Sequence, residues 1–270
     1  MHIFDTHAHY FDARFEREAE GGADAILQRI LPDPVSHIVN VGTDCHTSRL
    51  AIAQAARYEG MYAAVGIHPG DCHALPNADD ALQELSELLG NAETRRRDKI
   101  VALGEIGLDY YWQDYNGIPM DKAKMAYFFE EQLALAERLG LPVIIHDREA
   151  HGDCFETVLR HPGLRGVFHS YSGSAEMARE LTRRGWYVSF SGTLTFKNAT
   201  RVREAAMRVP RDRLLIETDA PYLAPHPVRG SLNHSALLCH SLAVLADMWD
   251  CTPDAAAEIT HANAKSFYNI

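Results

Sequence analysis

Eight short apolar runs punctuate this chain, and each is followed by a segment long enough to form a helix. The runs are His2–Asp5, His37–Val41, Tyr62–Gly66, Ile100–Gly104, Val143–His146, Gly166–His169, Tyr187–Phe190 and Leu214–Glu217. They are continuous rather than alternating, as expected of strands buried on both faces. Eight strand–helix units in regular succession predict a parallel sheet with right-handed crossovers. Eight is also the number that closes a TIM-type (β/α)8 barrel, and 270 residues suit one such barrel of about 250 residues. The expected organisation is therefore an α/β barrel forming one unit over residues 1–270. An open doubly wound sheet is the alternative. The chain has no G-x-G-x-x-G after its first run, which argues against the dinucleotide-binding version of that fold.

The segments between the runs carry helix signals. Asp121 can cap a helix running to Leu139, with Met125, Phe129, Leu133 and Ala136 as its apolar stripe. Gly140 and Pro142 end it. A second helix spans about Ala175 to Arg184 and stops at Gly185. A last one opens at Thr252-Pro253, with Thr as cap and Pro at the first helical position. The charge run Arg95–Arg97 precedes the fourth strand and reads as a solvated loop at the end of the barrel away from the site.

Polar residues gather where the strands end. Asp5, His7 and His9 follow the first run, His68 the third and Glu105 the fourth. His146 ends the fifth run and His169 the sixth, and Asp219 follows the eighth. In a β/α barrel the C-terminal strand ends converge on one mouth, where active sites lie. His7 and His9 form an H-x-H. On extended backbone their side chains share a face with Cα atoms about 6.5 Å apart, so both can reach one cation. Imidazoles mixed with carboxylates suit Zn²⁺, Mn²⁺ or Fe²⁺, and the absence of thiolates argues against a structural zinc knot.

Four histidines and two carboxylates exceed the needs of one tetrahedral ion and suit two ions with a shared carboxylate. Glu105, on a central strand, is the expected bridge. His7, His9 and Asp219 complete one site, and His146 and His169 the other. Asp219 is also the expected acceptor of a proton from the attacking water. His68 is a candidate for binding a leaving phosphate or steadying developing charge, with a supporting hydrogen bond as its other reading. Asp5 is expected to orient metal-bound imidazoles rather than to ligate. Arg148 and Arg229 are candidate phosphate clamps. Lys197 could add a point charge, and Tyr111, Trp112 and Tyr222 could stack on bases.

Composition limits the partners. The formal charge is −11, so the chain is no general polyanion binder, and any nucleic acid must meet a local positive patch or bound cations. Five cysteines without a C-x-x-C read as free thiols of a reducing compartment. Cys72 lies near His68 and His73 without an orienting acid, so a cysteine nucleophile is not expected. No G-x-S-x-G is present, which removes an α/β-hydrolase reading. The opening MHIFDTHAHYFD has no basic or apolar leader pattern. No apolar run approaches the roughly 20 residues needed to span a bilayer. These features read together as a cytoplasmic protein, monomeric by default, with no obligate protein partner.

Motifs in order along nearly the whole chain resemble the TatD family of metal-dependent hydrolases. They are DTHAH at Asp5–His9, VGIHP at Val65–Pro69, GEIGLDYY at Gly104–Tyr111 and LPVIIHDRE at Leu141–Glu149. FHSYSGS at Phe168–Ser174, FSGTLTF at Phe190–Phe196, LLIETDAPYLAPHPVRGSLN at Leu214–Asn233 and THANAKSFY at Thr260–Tyr268 complete the set. The resemblance implies an amidohydrolase-like barrel and a two-metal deoxyribonuclease, usually described as magnesium-dependent, with some members trimming DNA from the 3′ end. It implies metal binding at His7, His9, Glu105, His146, His169 and Asp219. The expected cofactor is two divalent ions (Mg, Mn or Zn), and the expected substrate is DNA, single-stranded or at 3′ ends. A metal-dependent amidohydrolase or esterase acting on a small molecule is the alternative, because a barrel does not fix its substrate. The chain departs from the family at Asp147, at Ser170-Tyr171 and at His234-Ser235, positions expected near the substrate.

Overall fold

The computed structural model describes residues 2–115 and 117–270. Eight parallel strands form one sheet in the order in which they occur along the chain. They are β1 (Ile3–Ala8), β2 (Val35–Val41), β3 (Met61–Val65), β4 (Ile100–Asp109), β5 (Val143–Arg148), β6 (Gly166–Phe168), β7 (Tyr187–Phe190) and β8 (Leu214–Ile216). Each expected run lies on one of them, with boundaries displaced by a few residues. Polar residues extend three of the strands. β1 continues through His7, β4 through Glu105 to Asp109 and β5 through His146 to Arg148, so His7, Glu105 and His146 sit within strands rather than after them.

The barrel closes between β1 and β8. Ala8 bridges Ala220 in parallel, the Asp219 N–H donates to His7 O at 2.9 Å, and Thr6 Oγ1 donates to Ile216 O at 2.9 Å. The seam is thus tightest at the mouth, beside two of the candidate ligands.

Strand side chains alternate between two cores. Phe4, Val39, Val41, Ala64, Ala102, Ile144, Val167 and Leu215 fill the lumen, where Phe267 and Tyr268 of the last helix (Pro253–Tyr268) join them. The opposite faces, including Ile38, Ala63, Leu103, Ile145, Val188 and Ile216, pack against the surrounding helices. Stepping two residues on from lumen positions Ile144, Val167 and Leu215 reaches His146, His169 and Glu217. A period of two is therefore what aims these polar side chains into the mouth.

The helix signals have the expected physical effects. Asp121 accepts from the N–H groups of Ala123 and Lys124, and Gly140 adopts φ 65° at the end of Lys122–Leu139. Thr252 caps Pro253–Tyr268. The Arg95–Arg97 run is a correction: it lies in a short helix, Ala92–Arg97, with Asn91 as cap. Asn91 satisfies the first N–H groups and the arginines occupy the last turn, where cations meet the negative end of the helix dipole.

Candidate metal centre

The Glu105 carboxylate stands at the middle of the mouth. Its Oε1 lies 2.6 Å from His146 Nδ1, 2.7 Å from His169 Nε2 and 3.6 Å from His68 Nε2. Its Oε2 lies 3.3 Å from His7 Nε2 and 3.8 Å from His9 Nε2. One carboxylate thus touches both expected groups of ligands. On the other side of the H-x-H, Asp219 Oδ1 lies 3.3 Å from His9 Nε2 and 3.8 Å from His7 Nε2. The two Nε2 atoms are 3.1 Å apart.

All six expected ligands therefore meet at one place, although Asp219 is 212 residues from His7 in the sequence. Three overlapping groups bring ligand atoms within 4.8 Å of one another: His7, His9 and Glu105; His7, His169 and Asp219; and His68, Glu105 and His146. His169 was expected to belong with His146 alone. Its ring instead stacks on His7 at 4.2 Å, so it faces both halves of the cluster.

Outer hydrogen bonds hold three of the rings. His9 Nδ1 donates to Val41 O at 2.7 Å. His146 pairs through Nε2 with Asp109 Oδ2 at 2.9 Å, and His169 through Nδ1 with Glu217 Oε1 at 3.2 Å. Each ring is left with its other nitrogen facing the centre, the arrangement that fixes the tautomer of a metal-binding histidine. His7 Nδ1 has no hydrogen-bond partner among the described residues. The donor set fits one or two divalent ions of the kind that imidazole and carboxylate ligands prefer.

Asp109 and Glu217, which hydrogen-bond two of the candidate ligands, are absent from the residues singled out in the sequence. Asp109 lies four residues beyond Glu105 on the same strand, and Glu217 two residues beyond the lumen residue Leu215, so period-two spacing could have found both. Ser189 Oγ and the Ser170 N–H also donate to Glu217, at 2.5 and 2.6 Å. Asp5 is a further correction. Among the described residues it has no hydrogen bond to an imidazole, and accepts instead from Thr218 N–H and Oγ1, Ser235 Oγ and the His7 N–H. Its role is to tie β1 to the turn that presents Asp219. Asp219 itself has φ 59°, a left-handed conformation that Asp tolerates better than most residues.

Electrostatics follow from this crowding. Burial alone would raise the Glu105 carboxyl, but His169, His68 and His7 outweigh it and hold it well below the usual carboxylate range. Asp219 is likewise lowered, by His9 and His7 against burial. Burial and the neighbouring His146 push His68 down to about 3. The Gly70 N–H donates to His68 Nδ1 at 2.9 Å, so the proton of this neutral ring resides on Nε2, which points into the site. Burial raises the thiols of Cys45 and Cys72, to about 11 and about 12, and neither supplies a thiolate.

Among the candidate substrate residues, Arg148 ends the strand that carries His146, and the Tyr222 ring lies 6.5 Å from that of His9. The Arg148 guanidinium rests 3.8 Å from the Tyr111 ring centroid and 5.4 Å from that of Trp112. Both aromatic residues are exposed. Arg229 rests 4.3 Å over Phe196. Tyr222 is also exposed, and its hydroxyl donates to Asp12 at 2.6 Å. Of the positions that depart from the family pattern, Asp147, Tyr171 and Ser235 are buried, while Ser170 and His234 are partly exposed. Asp147 accepts from His151, the Ser170 N–H donates to Glu217, and Ser235 Oγ accepts from the Tyr10 hydroxyl.

A parallel barrel with imidazoles and carboxylates gathered at its C-terminal mouth defines the class: a barrel hydrolase that works with bound metal. Residues 4–269 match the family model for TatD related DNase, and the chain belongs to that family. It is 38% identical over 271 residues to the metal-dependent hydrolase YabD of Bacillus subtilis, covering 99% of each chain. It is 35% identical to the metal-dependent hydrolase TatD of Mycobacterium tuberculosis, covering 99% of this chain and 98% of the other. The crystal structure of YjjV, a TatD homologue from Escherichia coli K12, superposes with TM-score 0.86 at 31% identity, covering 99% of this chain and 98% of that one. Among the described residues, no helix is long and apolar enough to cross a membrane.

Proposed function

We propose that this protein is a divalent-metal-dependent deoxyribonuclease that cleaves phosphodiester bonds of DNA, acting on single strands or at 3′ ends. The observation that carries this reading is the state of the arginines at the mouth. Arg148 and Arg229 are exposed, and among the described residues neither has a carboxylate within ion-pair distance. In a chain of net charge −11, unspent guanidinium groups beside a metal centre suit a phosphorylated substrate better than a neutral one. The family description agrees with this reading.

His7, His9, Glu105, His146, His169 and Asp219 would hold the divalent ions, Glu105 offering one oxygen toward His146 and His169 and the other toward His7. When bound, such ions supply charge neutralisation at the phosphate and acidify a water. Asp219 is a partly exposed carboxylate whose neighbours His9 and His7 favour its ionised form, and it would take the proton of the attacking water. His68 presents its Nε2–H and donates a hydrogen bond to an oxygen of the phosphate as charge develops there. Arg148 and Arg229 bind flanking phosphate oxygens. Tyr111 and Trp112 offer exposed ring faces to an unpaired base.

The test is digestion of 3′-labelled single-stranded DNA by the purified protein, first stripped of metal and then supplied with Mg²⁺, Mn²⁺ or Zn²⁺. Cleavage that requires metal and disappears in His146→Ala is the expected result. A folded protein that binds about two ions per chain but cleaves no DNA would overturn the reading in favour of amide or ester hydrolysis on a small molecule.

A further inference from the structure

A second cationic feature lies on the β7–β8 side of the mouth. A cleft of about 380 Å³ is lined by Phe196, Lys197, Asn198, His226 and Arg229. Its walls come from the turn after β7 and from the long loop after β8, the loop that carries Asp219. The two are locked together. The His226 N–H donates to Thr195 Oγ1 at 2.7 Å, and a Cβ on Gly192 would lie 2.0 Å from Leu223 O, so the backbones touch. Arg203 braces the turn from behind, donating to Leu194 O and Phe196 O at 3.0 and 2.6 Å.

The lining chemistry points to one class of ligand. Lys197 and Arg229 are exposed, and among the described residues neither is paired with a carboxylate. Among the described residues, none of those lining the cleft is acidic. Stacking on Phe196 occupies one face of the Arg229 guanidinium and leaves its N–H edge free for a bidentate anion. The Lys197 ammonium is a mobile point charge, and the Asn198 amide can donate as well. Several donors around a volume far larger than a bare ion suit a phosphate carried on a bulkier group.

We propose that this cleft is a subsite for a phosphate of the substrate strand outside the bond being cleaved. The inference rests on the nuclease reading above and extends it. The enzyme would hold a polynucleotide at two points, the metal centre and the Lys197–Arg229 cleft, and would bind longer strands better than short phosphodiesters.

The experiment is fluorescence anisotropy with a phosphorothioate-linked oligothymidylate on the Mg²⁺-loaded protein, across a salt series. Lys197→Ala combined with Arg229→Ala is compared with Arg96→Ala combined with Arg97→Ala, which removes the same charge near the start of β4. The first variant is expected to bind roughly tenfold more weakly or worse. Its salt slope should fall by about 0.7 for each lost phosphate contact. The second should bind like the parent. Thermal unfolding of both variants near the parent temperature checks that the exposed substitutions leave the fold intact. Equal weakening by both variants would reduce the effect to overall charge and overturn the subsite. So would unchanged binding in the first variant, which would leave the nuclease reading standing. A parent protein that binds no oligonucleotide would overturn the nuclease reading itself.

Discussion

Glu105 is the residue on which most of the centre depends. It touches His146, His169 and His68 through one oxygen and His7 and His9 through the other. Glu105→Ala should lose bound metal and hydrolysis together, the latter by at least about a hundredfold, while circular dichroism stays that of the parent. Elemental analysis finding the full metal content in that variant would remove Glu105 as the bridge. Asp109 acts one step further out, through His146 Nε2. Asp109→Ala should weaken metal affinity by about 10–100-fold without abolishing it. Gly107 shows how tightly this strand is fitted: its φ is 144°, and a Cβ there would lie 2.0 Å from His146 O. Only glycine lets β4 run this close to the strand that carries His146.

The last helix, Pro253–Tyr268, gives the barrel its floor. Phe267 is fully buried, its ring 5.0 Å from Tyr187 and 4.7 Å from Tyr268. Asn263 donates to Leu214 O at 2.9 Å, which binds the helix to the start of β8. The Tyr268 hydroxyl donates to Thr6 O at 2.9 Å, reaching the β1–β8 seam. Phe267→Ala should cost about 3–5 kcal/mol in urea unfolding, because it opens a cavity that the strands around it cannot fill. Thr252→Ala removes only the cap and should cost about 1 kcal/mol. Similar costs for the two would mean that the helix is held by its own turns rather than by the lumen.

At the scale of the whole molecule, the floor of the barrel carries an acid-sensitive contribution to stability. At the floor, His37 stacks on Phe4 and meets His261 edge-on. Burial, with the positive charge of His261 and Lys265, lowers His37 to about 4. The unfolded chain then binds a proton between about pH 6.5 and 4 that the folded chain refuses. This contribution to stability is complete above pH 6.5 and is lost as pH falls toward 4. His37→Gln should flatten the dependence of the unfolding midpoint on pH in that window. A profile as steep as the parent's would assign the acid sensitivity to other groups. His37 lies at the opposite end of the strands from the metal cluster, so the substitution separates stability from chemistry.

Much of the site was legible before the fold was known. Residues at the ends of buried parallel strands must face one mouth, so the position of each His and carboxylate in its run was enough to gather six of them. Period-two alternation within a strand is a local property, and it explains why the H-x-H at His7 and His9 could be read directly. What surrounds those residues depended on contacts made across the barrel. That Glu217 supports His169, that Asp5 holds the Thr218 turn rather than a ring, and that His169 lies against His7 are consequences of which strands become neighbours. The same holds for the unpaired Arg229 over Phe196, which come from different loops. The order of residues within each run was enough to send the six candidate ligands toward the mouth, because strand periodicity is local, whereas Asp109 and Glu217 emerged only from the folded chain. Which atom of each meets which partner follows from the folded chain, because hydrogen bonds form or fail over tenths of an ångström and packing sets those distances.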